Sequence, residues 1–279
     1  MLRICRGLWG CTVLWGLGFG LPAMADEAPA TPKANESAKL NYVLGAIVSS
    51  GPDYAGGDGR SVHVRPAWAL EYGRFRLSTS RGSTLMGHGL EQRESGATAV
   101  LAENDLFNLS ASLRLDNGRD ESDSPDLAGM GDIRPTVRAR LAVQWDPSRD
   151  WRLGAGIGVD ALNRVGGFLV DASVARHWAV GPGQVFTVTA SLSAAGDRYL
   201  QAWHGVTPAQ SAASGYAVFV PHEGLRDVAV SAVWRSELPY GWAGFVGLGY
   251  SRLLGGAADS PLTRRVGSAG LTGGLAWRF

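Results

Sequence analysis

Leu271-Thr272-Gly273-Gly274-Leu275-Ala276-Trp277-Arg278-Phe279 is the stretch on which the fold turns. Leu271, Gly273, Leu275, Trp277 and Phe279 occupy one phase, and Thr272, Gly274, Ala276 and Arg278 the other. Successive strand side chains point to opposite faces, so period-two alternation marks a strand with one apolar and one polar side. The sequence ends on the aromatic, with no tail after the strand.

The same alternation recurs upstream. Phe107, Leu109, Ala111, Leu113 and Leu115 alternate with Asn108, Ser110, Ser112, Arg114 and Asp116. Val137, Ala139, Leu141, Val143 and Trp145 oppose Arg134, Thr136, Arg138, Arg140 and Gln144. Phe186 to Ser193 and Asp227 to Arg235 repeat the pattern. A soluble sandwich would alternate too, so strand length and strand ends decide. Several runs reach about ten residues, enough for a tilted strand to cross an outer membrane. Aromatics cluster near the predicted ends: Tyr42, Trp68, Tyr72, Trp145, Trp151, Trp178, Trp234, Trp242, Tyr250 and Trp277, as in an interfacial girdle. A terminal amphipathic strand closing on Trp277 and Phe279 looks like the signal by which the barrel-assembly machinery recognises outer-membrane barrels.

Strands are predicted at 40–49, 61–71, 74–80, 97–102, 106–116, 133–145, 151–161, 167–178, 184–194, 225–235, 242–252 and 269–279. The count is even, as a barrel with both termini on one side requires. It places short turns on the periplasmic side and the longer connections 50–60, 81–96, 117–132, 195–224 and 253–268 outside, with 162–166 brief. Strands three and four carry the weakest alternation, and Tyr216 to Val220 is a further candidate, so ten or fourteen strands stay open. The 195–224 connection is long enough to fold inward as a plug.

Residues 1–25 read as a secretory signal: Arg3 and Arg6, an apolar middle from Leu8 to Leu21, then Ala23-Met24-Ala25 before Asp26. Both cysteines, Cys5 and Cys11, fall inside it, so the processed chain has no disulfide to form. Residues 26–38 read as a flexible periplasmic arm, and 39–279 as one domain. Across the chain, 26 Lys+Arg meet 25 Asp+Glu for a formal net charge of +1, with 45% hydrophobic residues and a mean hydropathy of −0.02. That balance excludes a disordered acidic tail and a strongly basic nucleic-acid binder. The 39 glycines lack every-third spacing, which excludes collagen.

The loops carry an ordered set of motifs. They are Gly51-Pro52-Asp53-Tyr54-x-Gly56, Gly118-Arg119-Asp120, Leu127-x-Gly129-x-Gly131-Asp132, Tyr199-x-x-x-Trp203-His204-Gly205-Val206-Thr207, and Leu253 followed by Asp259-Ser260-Pro261-Leu262. Together they resemble the MipA/OmpV family over most of the chain. The resemblance implies an outer-membrane protein. It also implies a scaffold for murein (peptidoglycan) enzymes, bridging a lytic transglycosylase and a bifunctional murein synthase. Gly57 stands where the family commonly has Ser, and His204 where it commonly has an aromatic.

Candidate chemistry is sparse. No Gly-x-Ser-x-Gly elbow follows residue 25. His63, His88, His177, His204 and His222 are scattered without metal spacing, His63 and His177 on lumen-facing positions and the others in loops, as solvated or hydrogen-bonded structural residues. Asp116, Asp120, Glu121, Asp123, Asp126 and Asp132 could bind a divalent cation beside lipopolysaccharide, but Asp/Gly/Ser/Pro is ordinary loop composition. On the polar phase, Arg65, Arg114, Arg134, Arg138, Arg140, Arg152, Arg235 and Arg278 face Glu71, Asp116, Asp160, Asp171 and Asp227 as potential partners. Pairing is the favoured reading; the alternative is a cationic stripe at Arg134, Arg138 and Arg140 in an anion-favouring pore.

The expectation is therefore an all-β, transmembrane antiparallel up-and-down β-barrel of about twelve strands behind a cleaved leader. It is expected to be non-enzymatic, without cofactor or metal, to lie in the outer membrane among lipid and lipopolysaccharide, and to scaffold murein enzymes. A channel or surface-binding protein is the alternative.

Overall fold

A computed structural model describes residues 40–86 and 95–279. The predicted leader, its two cysteines, the 26–38 arm and His88 lie outside the described residues. Twelve strands run β1 (Leu40–Pro52), β2 (Arg60–Tyr72), β3 (Phe75–Ser78), β4 (Ser95–Glu103), β5 (Phe107–Asp116), β6 (Thr136–Ser148), β7 (Trp151–Asp160), β8 (Phe168–Gly181), β9 (Gln184–Ala195), β10 (Gly224–Glu237), β11 (Trp242–Leu253) and β12 (Gly267–Arg278). Each pairs antiparallel with its sequence neighbours, β2 with β3 only over Ala69–Tyr72, and β1 pairs with β12, closing the barrel. The count of twelve settles the choice among ten, twelve and fourteen. Tyr216 to Val220 contributes only an isolated bridge, Val206 to Phe219, outside the wall.

The wall follows from the alternation. Leu44, Val64, Leu141, Val230, Leu248 and Leu271 point outward, Val64 at 71% exposed and Leu248 at 61%. An apolar exterior of this extent is covered by lipid rather than water. Tyr42, Trp68, Tyr72, Trp145, Trp151, Trp178, Trp234, Trp242 and Trp277 all sit toward the rim that carries the strand starts of β1 and β7 and the end of β12. Only Tyr250 of the predicted set lies toward the opposite mouth, so the girdle is one-sided. At the closing seam Phe279 stacks on Tyr42 at 4.4 Å and meets Trp277 at a tilt at 4.3 Å, while Trp277 Nε1 donates to Tyr240 O at 2.9 Å.

The predicted third strand is too long, because β3 stops at Ser78 and the chain leaves the wall. Thr79 N donates to Trp68 O, and Thr79 Oγ1 accepts from Trp68 N, both at 3.0 Å. A side chain thus takes the place of the next ladder bond. The short helix α1 (Gly82–Leu85) follows, entered through Arg81 at φ 60. A Cβ on Gly82 would lie 2.4 Å from Trp68 O, so only glycine can approach the wall this closely. Leu85, fully buried, packs inside the barrel against Val43, Ile47, Ala67, Ala69, Val233, Phe245 and Ala276. The plug foreseen for 195–224 therefore has a counterpart in the 81–96 connection.

The 195–224 connection forms helices α2 (Asp197–His204) and α3 (Pro208–Ser214), and the last loop forms α4 (Gly255–Ala258). Thr207 caps α3 reciprocally with Gln210, with Pro208 in the first turn. Tyr199 and Leu200 of α2 pack with Ala195 and Ala257, adding Leu169, Trp203 and Leu253. Met130, Val206 and Leu262 form a second small core with Tyr216 and Phe219.

Candidate functional site

The polar phase of the wall supplies the first layer of the site. Arg138 Nε meets Asp116 Oδ2 at 2.9 Å, both side chains nearly excluded from solvent. Arg140 makes a two-point contact with Asp171, and Arg152 one with Asp146 at 2.8 Å. Arg226, at the bulge between Leu225 and Asp227, pairs with Asp227 and donates to Tyr199 OH at 3.0 Å. Arg114 Nη2 donates to Thr98 Oγ1 at 2.7 Å. Guanidinium and carboxylate on the polar phase thus face each other, which is how buried charge becomes tolerable. The proposed stripe does not run as a line of cations: Arg138 and Arg140 are paired, and Arg134 precedes β6 and is exposed. Arg65 and His63 are exposed on the inward phase of β2.

The second layer is a cap across the mouth opposite the start of β1 and the end of β12, and most motif residues fall in it. Tyr54 is buried and its hydroxyl donates to Leu262 O at 2.8 Å. Burial, and after it the charge of Asp126, pushes its pKa well up. Gly56 O accepts from Arg264 N at 2.8 Å and Arg265 N at 3.0 Å. Ser260 Oγ donates to His204 O at 2.6 Å and accepts from Leu262 N at 3.2 Å, with Pro261 between. Arg119 Nη1 reaches Trp203 O at 3.0 Å. Arg264 joins Asp126 and Tyr216 OH, at 3.0 and 2.8 Å. Apart from the turn at Ser260 to Leu262, each contact joins two different loops.

Other motif residues shape single loops. Pro52 ends β1 opposite Arg60, and Asp53 Oδ1 accepts from Tyr54 N at 3.0 Å. Gly56, Gly118, Gly129 and Gly131 all adopt φ between 69 and 101, a region that disfavours any residue with a Cβ. Asp120 caps the turn 121–123 through Ser122 N, and Asp132 Oδ1 accepts from Glu121 N at 3.0 Å. Gly205 ends α2 and Asp259 ends α4. The acidic loop residues thus have separate partners, and among the described residues no group of three or more His, Cys, Asp or Glu is placed to hold a metal.

Both departures from the family pattern have a local setting. A Cβ on Gly57 would lie 2.2 Å from Asp53 Oδ1 and 2.7 Å from the Tyr54 ring, so this loop conformation has no room for Ser. Of the two readings offered for it, solvated or structural, His204 takes the structural one: it is 3% exposed, and its carbonyl accepts from Ser260 Oγ. Burial first, and then the cations Arg226 and Arg119, push its pKa down to about 3. The guanidinium groups of Arg138 and Arg226 lie over the Tyr199 ring, 4.8 and 5.6 Å from its centroid. Sequence reasoning did not single out Leu85, Arg226 or Asp126 with Arg264 as closing elements. The only local signal was the polar run Ser78-Thr79-Ser80-Arg81-Gly82, where alternation ends early.

A sequence model of the MltA-interacting protein MipA matches residues 44–279. No curated protein sequence matches the chain. Among solved structures, the NanC porin is 8% identical with a TM-score of 0.45, covering 83% of this chain and 98% of its own. An outer membrane channel from Pseudomonas putida F1 is 11% identical at 0.44, covering 90% and 99%. An anion-selective porin from Comamonas acidovorans is 8% identical at 0.38, covering 87% and 99%. At these values the neighbours share a barrel and say nothing of what this chain binds or conducts.

Proposed function

The chain belongs to the MipA family, and we propose that it is a closed outer-membrane barrel whose working surface is its periplasmic rim. There it holds a lytic transglycosylase and a murein synthase close to one another. The observation that carries this reading is that α1 packs against the inside of the wall and the loops pack over one another at the mouth. A barrel filled in this way suits anchoring more than free passage of solute, and anchoring requires a partner. The family name, MltA-interacting protein, points to a murein enzyme as that partner.

In this reading a leader at 1–25 exports the chain, the assembly machinery reads the strand ending in Trp277 and Phe279, and lipid and lipopolysaccharide surround the wall. The rim turns are short, so the 26–38 arm adds contact area toward the roughly 800 Å² per partner of a standard interface. Tyr240 is the most exposed large hydrophobic side chain among the described residues, at 92%, and marks where a partner would touch. A photo-crosslinking residue at position 240 in intact envelopes should capture a transglycosylase or a synthase. Repeated capture of neither, with the barrel correctly inserted, would remove the reading.

A further inference from the structure

Strand β8 carries a cation on its lipid-facing phase. Phe168, Val170, Val174 and Trp178 occupy that phase and Arg176 shares it, exposed, while His177 turns inward with its Nδ1 2.9 Å from Thr187 Oγ1. Two rings flank the cation. The Arg176 guanidinium carbon lies 5.3 Å from the Trp151 ring centroid and 5.0 Å from that of Trp178. Register makes the arrangement: Arg176 stands directly across the ladder from Trp151, the first residue of β7, and Trp178 follows two residues along the same strand. Phe186 opposes Trp178 on β9, with the rings 5.7 Å apart, and extends the aromatic surface.

Among the described residues these two rings are the partners of Arg176, and no carboxylate joins it. Ring faces attract the charge and leave the five planar N–H donors of a guanidinium to other acceptors. One step up the wall, Leu153 and Val174 begin the apolar band, where an unmet donor is costly. Trp and Tyr rings gather at the level of lipid headgroups, so the acceptors within reach of this face belong to headgroups. The phosphodiester is the acceptor that glycerophospholipids share, and its charged oxygens suit the guanidinium fork. A headgroup ammonium is repelled by the cation already on the rings. On the outward phase of the described strands the other cations, Arg60 and Arg252, stand at the opposite mouth.

We propose that Arg176, steadied by Trp151 and Trp178, binds the phosphodiester of one phospholipid in the leaflet at this rim, the periplasmic leaflet in the reading above. The bound lipid pins the depth of the wall beside the turn from β6 to β7. The proposal takes only the orientation from that reading and does not depend on which protein the rim holds.

Native mass spectrometry tests it, with the purified barrel released from micelles that carry phosphatidylglycerol, phosphatidylethanolamine or diacylglycerol. The expected result is about one retained lipid per chain with either phospholipid, and none with diacylglycerol, which lacks the phosphate. Arg176→Gln should lower the retained fraction about tenfold through loss of charge-assisted hydrogen bonds. Trp151→Leu keeps the charge, removes one ring and should lower it about threefold. Arg252→Gln removes the same charge from the outward phase at the opposite mouth and should leave retention unchanged. If Arg176→Gln does not fold, Trp151→Leu against Arg252→Gln decides. Equal retention of diacylglycerol and phospholipid, full retention in Arg176→Gln or in Trp151→Leu, or a matching loss in Arg252→Gln would overturn the proposal. None of these readouts involves a partner protein, so failure here leaves capture at position 240 untouched.

Discussion

Inside the wall, α1 is held chiefly by apolar contact of Leu85 with side chains from five strands, whereas the cap is held by directional bonds from Tyr54, Arg119, Ser260 and Arg264. Apolar packing is nondirectional and depends on shape and volume. Hydrogen bonds depend on particular atoms at particular places. The two obstructions should therefore fail differently: α1 through loss of volume or of its segment, the cap through loss of single polar atoms. Most of the motif residues lie in the cap, where few substitutes fit.

Removing α1 should have the largest effect. Ser78 pairs with Gly96 across the β3–β4 ladder, so a five-residue Gly-Ser turn in place of residues 80–94 spans the gap between the two strands. Planar-bilayer recordings should then show conductance roughly tenfold or more above that of the unaltered barrel, since twelve strands enclose more space than side chains alone fill. Heat-modifiable migration in gels checks that the variant is a folded barrel. Equal conductance in both would mean that the cap alone seals the lumen and would end the division of labour drawn here.

The two regions also differ in how far the sequence revealed them. Every wall strand was legible because each side chain there sees either lipid or lumen, and that choice writes period-two alternation into the chain. The end of β3 was not, because it depends on the approach of Gly82 to Trp68 O and on a cavity lined by Val43, Phe245 and Ala276, residues far away in sequence. Thr207-Pro208-x-Gln210 was a readable start for α3 that a search for strands passed over. For the cap, order and identity of the motifs were visible, but not that Tyr54 reaches Leu262 across more than two hundred residues. Arg134 shows the converse error. It shares a phase with Arg138 and Arg140, yet lies before the strand begins, where phase no longer means orientation.

An intermediate effect is expected from acid, and it should strike the cap alone. The folded-state pKa of His204 is pushed down to about 3, below the ordinary value of about 6.5 that an opened cap would restore. Between those limits the opened cap takes up a proton that the closed cap refuses. Stability of the cap is thus full above pH about 6.5 and falls as pH drops, by up to about 1.4 kcal/mol per unit. His204→Phe installs the aromatic common in the family and should flatten this dependence. Proteolysis of the 196–223 loop across pH 4 to 7 would show it; an equal acid response in both proteins would mean that another group controls opening.

The smallest effect should come from Tyr54→Phe, and it separates the regions most finely. The change keeps the buried ring and deletes one hydroxyl, the donor to Leu262 O. One hydrogen bond is worth about 1 kcal/mol, or roughly fivefold in a local opening equilibrium. The amides that report it are Arg264 N and Arg265 N, both bound to Gly56 O in the segment that Tyr54 pins. Their exchange should speed about fivefold in Tyr54→Phe, while Thr84 N and Met86 N of α1, bonded to Arg81 O and Ser83 O, keep their rates. Faster exchange in both sets would show that cap and plug open as one cooperative unit despite their different chemistry. Separate responses would show two closures, each opening on its own.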